Sequence, residues 1–229
     1  MRRRLALYLG AMLSCALSPA AAAEYANPGR LEHPTYTTGF TGPSMLGTTA
    51  VSIRAARFNT VWAHAMQDAT RSPQLLQMVA PARQLGRFEQ LAYVQSRVHN
   101  SIRWISDTTE WGQHDYWASA SETLARGAGD MEDRAMVKLQ ALRALGFRPG
   151  DLFLTLARDR VGGPITVLTA RLNGRYYILD DTGGTPFLAD SRRAELEPVL
   201  SFGWTSAWVH QRLAPPPAIA SLQGNAARK

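Results

Sequence analysis

The chain has 229 residues, with 25 Lys and Arg against 18 Asp and Glu and a formal charge of +7. Three of the arginines stand together as Arg2, Arg3 and Arg4, so the remaining charge, seven less three, is +4; no basic run is interleaved with aromatics, which argues against a nucleic-acid partner. The one cysteine is Cys15, leaving residues 24–229 without a disulfide, a thiolate metal site or a cysteine nucleophile.

Arg2 to Arg4, the apolar run Leu5–Leu17 and the small residues Ala20–Ala23 predict a secretory signal over 1–23, cleaved before Glu24. The run is shorter than the roughly 20 residues of a membrane span. No later segment is apolar enough to span a bilayer, so the reading is a periplasmic or secreted protein. A lipoprotein signal ending at Cys15 is the weaker reading, because the alanines after Pro19 suit the ordinary peptidase. Residues 24–49, rich in Pro, Gly and Thr, predict an irregular leader. Val51 to Ala69 carries apolar residues at helical spacing, and Pro73 and Pro81 bracket one or two helical turns. Leu85 to Trp104 predicts a long helix. Ser119 and Glu122 form a capping-box pattern for a short helix that stops at Gly127. Asp130 is placed to cap the next helix, which runs through Ala135, Leu139 and Leu142 to a stop at Gly146.

The period then changes. Asp151–Ala157 and Ile165–Leu172 predict strands, and Asn173-Gly174 predicts a tight hairpin into a strand over Arg175–Leu179. A last strand is expected over Ser206–Arg212, and the Pro-rich tail from 214 to 229 is expected to be disordered. Helices followed by an antiparallel meander give an α+β class. The roughly 200 residues after the signal suffice for one sizeable core.

Several motifs fall in order: Asp115-Tyr116-Trp117-Ala118, Gly127 through Asp133, Lys138, Ala144-Leu145-Gly146, Val167 through Arg171, Ile178-Leu179-Asp180 and the Trp204–Arg212 segment. Together they resemble the bacterial transglutaminase-like cysteine proteinases, which include the LapG-type periplasmic proteases that clip surface adhesins. The resemblance covers residues 50–213. It implies a papain-like or transglutaminase-like fold, with N-terminal helices packed on an antiparallel β-sheet, and a Cys-His-Asp triad. A nucleophile at a helix N-terminus is favoured as thiolate by the macrodipole. A histidine on one strand takes its proton and an aspartate on the next orients the imidazole.

On this mapping the nucleophile position is Met131, the histidine position is Ile165 and the acid is Asp180. A thioether has no proton to lose, and two linked losses point to a non-catalytic relative. Read without the family, Met131 heads an apolar helix face, Ile165 is a core strand residue and Asp180 a turn carboxylate. The resemblance also implies calcium at Asp130 and Glu132; helix capping alone is the competing reading. Trp111, Tyr116 and Trp117 read either as the lining of a peptide cleft or as core. Expected partners are a peptide segment of an envelope or adhesin protein, or a membrane signalling receptor. The alternatives are an active hydrolase with a relocated nucleophile, Ser119 or Ser121 with His114 as base, and a structural envelope protein.

Overall fold

The computed structural model describes residues 42–53, 59–192 and 194–212. The expected signal over 1–23, most of the expected leader over 24–49 and the expected disordered tail over 214–229 lie outside them. Six helices are described: α1 (Asn59–Ala65), α2 (Pro73–Val79), α3 (Arg87–Ser101), α4 (Asp107–Glu110), α5 (Ala120–Arg126) and α6 (Met131–Ala144). The strands are β1 (Thr48–Ile53), β2 (Arg103–Trp104), β3 (Ala128–Gly129), β4 (Leu152–Asp159), β5 (Pro164–Leu172), β6 (Arg175–Leu179), β7 (Phe187–Leu188), β8 (Leu196–Phe202) and β9 (Ala207–Arg212). Seven of them form one sheet in the order β1-β9-β8-β4-β5-β6-β7, antiparallel throughout. The short β2 and β3 pair separately and in parallel. Among the described residues no helix is long and apolar enough to cross a membrane.

Local chemistry sets several boundaries. Asn173 and Gly174 both take positive φ, 51° and 75°, as a two-residue hairpin between β5 and β6 requires. Ser119 and Glu122 make both bonds of a capping box at α5, and Gly127 closes that helix at φ 63°. Two helix readings need correction. Residues 51–53 do not begin a helix; they belong to β1, which pairs with β9 from Thr48↔Arg212 to Ile53↔Ala207. A free edge on β9 outweighs the helical spacing of the apolar side chains there. The long helix ends at Ser101 rather than Trp104, because Arg103 and Trp104 pair with Ala128 and Gly129.

The two faces of the sheet are chemically distinct. Leu152, Leu154, Leu168, Ala170 and Leu179 turn to the helices and join the main core with Leu139 and Leu142 of α6. Val167, Ile178 and, in part, Ile165 turn the other way, to a smaller core with Met45, Leu46 and Ala189. Alternate side chains of a strand must divide in this way. Helix α6 packs against α2, α3, α5, β4 and β5, and its residues from Glu132 to Leu142 are all buried, charged ones included. Such burial places its first turn against other elements rather than in water.

Candidate functional site

The residues around the α6 N-terminus are held from several sides. Arg103 N donates to Gly127 O at 2.9 Å and Ile105 N to Gly129 O at 3.2 Å, which fixes β3 beside β2. Gly129 has no room for a side chain: a Cβ there would lie 2.7 Å from Asp133 Cβ and 3.0 Å from Thr123 Cγ2. Asp130 then caps the helix, its Oδ1 accepting from Glu132 N at 3.2 Å and Asp133 N at 3.5 Å. Met131, half-buried, is the first helical residue. Its side chain occupies the end of the helix where the macrodipole is positive. It offers neither a proton to lose nor a charge to stabilise.

Asp130 does more than cap. Carboxylate oxygens of Asp107, Asp130 and Asp133 lie within 4.8 Å of one another. Asp107 Oδ2 accepts from Tyr116 N at 2.6 Å, and Asp133 Oδ1 from Ala118 N at 2.8 Å. The second oxygen of each, Asp107 Oδ1 and Asp133 Oδ2, is buried with no hydrogen-bond partner. Glu132 stands beside them, its Oε1 accepting from Thr166 Oγ1 at 2.8 Å. Burial, reinforced by the neighbouring carboxylates, pushes Asp130 up to about 11. Burial likewise raises Asp133 to about 8 and Asp107 to about 6, each opposed by the backbone N–H it accepts. It raises Glu132 as well. Three hard oxygen donors with two buried orphan atoms suit a divalent cation, which would supply the missing counter-charge. The sequence points to Asp130 and Glu132; the converging group contains Asp130, with Asp107 and Asp133 in place of Glu132. Asp133 shares the first helical turn with Asp130, a usable signal; Asp107 gave none.

The other sequence-predicted residues are distributed as follows. Asp180 heads a turn: its Oδ1 accepts from Gln95 Nε2 at 3.0 Å, Thr182 N at 3.1 Å and Thr182 Oγ1 at 2.7 Å. Its carbonyl accepts from the buried Lys138 Nζ at 2.5 Å, and burial lowers that lysine to about 8. The next residue, Asp181, is bound by Arg134 Nη1 at 2.7 Å, while Arg134 Nη2 lies 3.0 Å from His99 Nδ1. The turn after β6 is thus fastened to α6 and α3. Ile165 does not face α6. It packs with Met45, Leu46 and Val167 on the outer side of the sheet, whereas its neighbour Thr166 turns inward to Glu132.

Trp117 is core, 4% exposed, and meets Trp62 and Phe202 edge-on at 6.3 and 5.9 Å. Of its two readings, cleft lining or core, the burial favours core. Trp111 and Tyr116 remain half-buried, their rings 4.4 Å apart and inclined at 40°, with the Arg126 guanidinium 3.8 Å from the Trp111 ring. Tyr116 also belongs to a polar cluster, donating to Glu122 Oε1 at 3.0 Å with its hydroxyl 3.0 Å from His64 Nε2. Ser119 is 1% exposed and donates to Glu122 Oε2 at 2.8 Å, so its hydroxyl is committed to the cap. Ser121 and His114 are exposed. Trp104, which sequence reading placed in a helix, is 53% exposed and opposite Gly129.

Residues 61–185 match the family described as bacterial transglutaminase-like cysteine proteinase, BTLCP, a span of more than half the chain. The protein belongs to this family. The fold agrees: LapG of Legionella pneumophila in its calcium-bound form superposes with a TM-score of 0.53 at 24% identity, over 66% of this chain and 84% of that one. A further LapG structure gives 0.52 at 25% identity, over 69% and 90%. The EGTA-treated form gives 0.52 at 25%, over 69% and 87%. No curated protein matches the sequence. Within this transglutaminase-like cysteine proteinase fold, the chain has no cysteine after Cys15.

Proposed function

We propose that the protein is a non-catalytic member of the family that acts in the periplasm by binding a peptide or a protein. The observation that carries this reading is Met131 as the first residue of α6, the position the family resemblance gives to the nucleophile. A thiolate there would attack a carbonyl; a thioether does not. Asp180, the position of the family's acid, is engaged by Gln95 and Thr182 instead of an imidazole, and Ile165 supplies no base. What remains is a surface beside the old site, with Trp104, Trp111 and Tyr116 able to supply aromatic contact area. Its partner would be a segment of an envelope or adhesin protein, or the periplasmic part of a membrane signalling receptor.

The acidic cluster supports a calcium site. One LapG structure is calcium-bound and another EGTA-treated, and the donor set here fits a hard cation. Asp107, Asp130 and Asp133 would hold it, with Glu132 alongside. Calcium would supply positive charge and tie α4, the 116–118 segment and α6 together.

Purified protein is expected to turn over neither adhesin-derived peptides nor acyl esters. Turnover that survives Met131→Ala and is lost in Ser119→Ala would overturn the non-catalytic reading. Titration calorimetry should show calcium binding that disappears in Asp130→Asn; no heat at millimolar calcium removes the cation from the account.

A further inference from the structure

We propose that the outer face of the sheet carries a second binding site, for an apolar group that bears a carboxylate. It lies beyond the far end of α6. Fourteen helical residues separate it from the Met131 end, about 20 Å at 1.5 Å per residue, so it is distinct from the acidic cluster and the old cleft.

A cavity of about 380 Å³ opens there between the Pro149-Gly150 turn, the start of β4 and the β8–β9 turn. That volume falls in the range of small-ligand sites. Its aromatic lining comes from Phe153 and Trp208, edge-on to each other at 5.7 Å, together with Trp204. Gly203 allows the close fit, since a Cβ on it would stand 2.9 Å from Trp208. Trp204 is 42% exposed although it carries the Arg143 guanidinium 4.1 Å from its ring. Phe153 and Trp208 are buried, so Trp204 is the indole open to a ligand in this mixed polar and apolar concavity.

The charge beside the cavity selects the ligand. Arg171 lines it, with its Nε donating to Asp151 Oδ1 at 2.7 Å. Arg148 Nε donates to the other oxygen, Asp151 Oδ2, at 2.8 Å. One carboxylate therefore serves two guanidinium groups, and one positive charge is left over. The bond to Asp151 fixes Arg171 on one side, so less of its freedom remains to be lost on binding. A planar guanidinium held in this way matches a carboxylate with two parallel hydrogen bonds. Thr205 and Ser206 add hydroxyls to the lining. An apolar cation would meet the surplus charge with repulsion. A neutral apolar group would gain the aromatic contacts and leave the arginine unused.

This chemistry occurs both in the C-terminus of a peptide ending in an apolar residue and in a free apolar acid. The test is titration of the full protein, followed by tryptophan fluorescence and calorimetry, with N-acetyl-Pro-Phe, its C-terminal amide and 3-phenylpropionate. The free peptide acid is expected to bind at least about tenfold more tightly than the amide. Trp204→Ala and Arg171→Gln should each remove most of that binding, and Arg171→Lys should restore part of it. Circular dichroism establishes that each variant folds; should Arg171→Gln unfold, the surface variant Trp204→Ala decides alone. Tighter binding of the peptide acid than of phenylpropionate assigns the site to peptide C-termini, and the reverse to free acids. Equal binding of acid and amide, no binding at millimolar ligand, or binding indifferent to Trp204→Ala would each overturn the proposal.

Discussion

Raising the pH from 6.5 to 8 in the presence of a chelator should destabilise this protein, and calcium should reverse the loss. The reason lies in the acidic cluster. Asp133 is raised to about 8 and Asp130 to about 11, against an ordinary 3.8. In that interval the folded protein keeps protons on both that the unfolded chain has released. Stability tied to such protons is complete below the unfolded value and is lost as pH rises toward the folded one. Each retained proton costs about 1.36 kcal/mol per pH unit, or about 2 kcal/mol from pH 6.5 to 8.

Glu132, also raised by burial, acts in the same direction, and the remaining shifted groups bear little on this window. Asp68, Glu122 and Asp151, held below their ordinary values, titrate at lower pH. His210, kept neutral by burial down to about 4, adds stability only as pH rises to its ordinary 6.5. Lys138, lowered to about 8, opposes the loss, by a few tenths of a kcal/mol, only as pH approaches 8. Urea midpoints at pH 6.5 and 8, with EGTA or with calcium, supply the measurement. Calcium at about a hundred times its dissociation constant would return about 2.7 kcal/mol. Asp133→Asn provides the internal control. Its carboxamide oxygen can keep the bond from Ala118 N, but there is no proton to lose, so the pH slope should fall by about one proton and the calcium effect should shrink. A chelated protein whose stability is flat or rises from pH 6.5 to 8 would refute the reasoning. So would an equal calcium response in Asp133→Asn.

Gly129→Ala should cost about 1–3 kcal/mol by overpacking, since its Cβ meets Asp133 at 2.7 Å, and should weaken calcium binding; an unchanged melting temperature would contradict the packing. Arg134→Met should cost about 3–5 kcal/mol in urea denaturation by leaving Asp181 beside α6 without its 2.7 Å ion pair; a loss under about 1 kcal/mol would show that the turn after β6 is held otherwise. Met131→Cys should fold and accept an alkylating reagent, yet cleave no peptide, because Ile165 faces the outer core and Asp180 is occupied by Gln95; turnover by this single variant would show that an imidazole reaches the helix start.

Features written within a few residues were legible in the sequence. The Ser119–Glu122 box, the closure at Gly127, the cap at Asp130 and the Asn173-Gly174 hairpin each depend on near neighbours, and each is found where local chemistry puts it. Neither β1 nor β8 is legible locally: what makes 48–53 a strand is the edge of β9, some 160 residues away in the pairing Thr48↔Arg212. Trp117 illustrates the same limit. Its neighbours Trp62 and Phe202 come from distant parts of the chain, so no local pattern separates it from the half-buried Trp111 and Tyr116.

The order of residues is enough to establish that nothing after Cys15 can serve as a thiolate nucleophile, and that Met131 opens a helix capped by Asp130. Residue identity and short-range spacing suffice for both. It takes the folded chain to bring Asp107 to Asp130 and Asp133, to turn Thr166 rather than Ile165 to α6, and to let Arg148 and Arg171 share Asp151 beside the Trp204 cavity. Each of these depends on which side chains a fold turns toward one another across gaps in the chain. Burial then converts that proximity into raised carboxylate pKa values and an unneutralised charge.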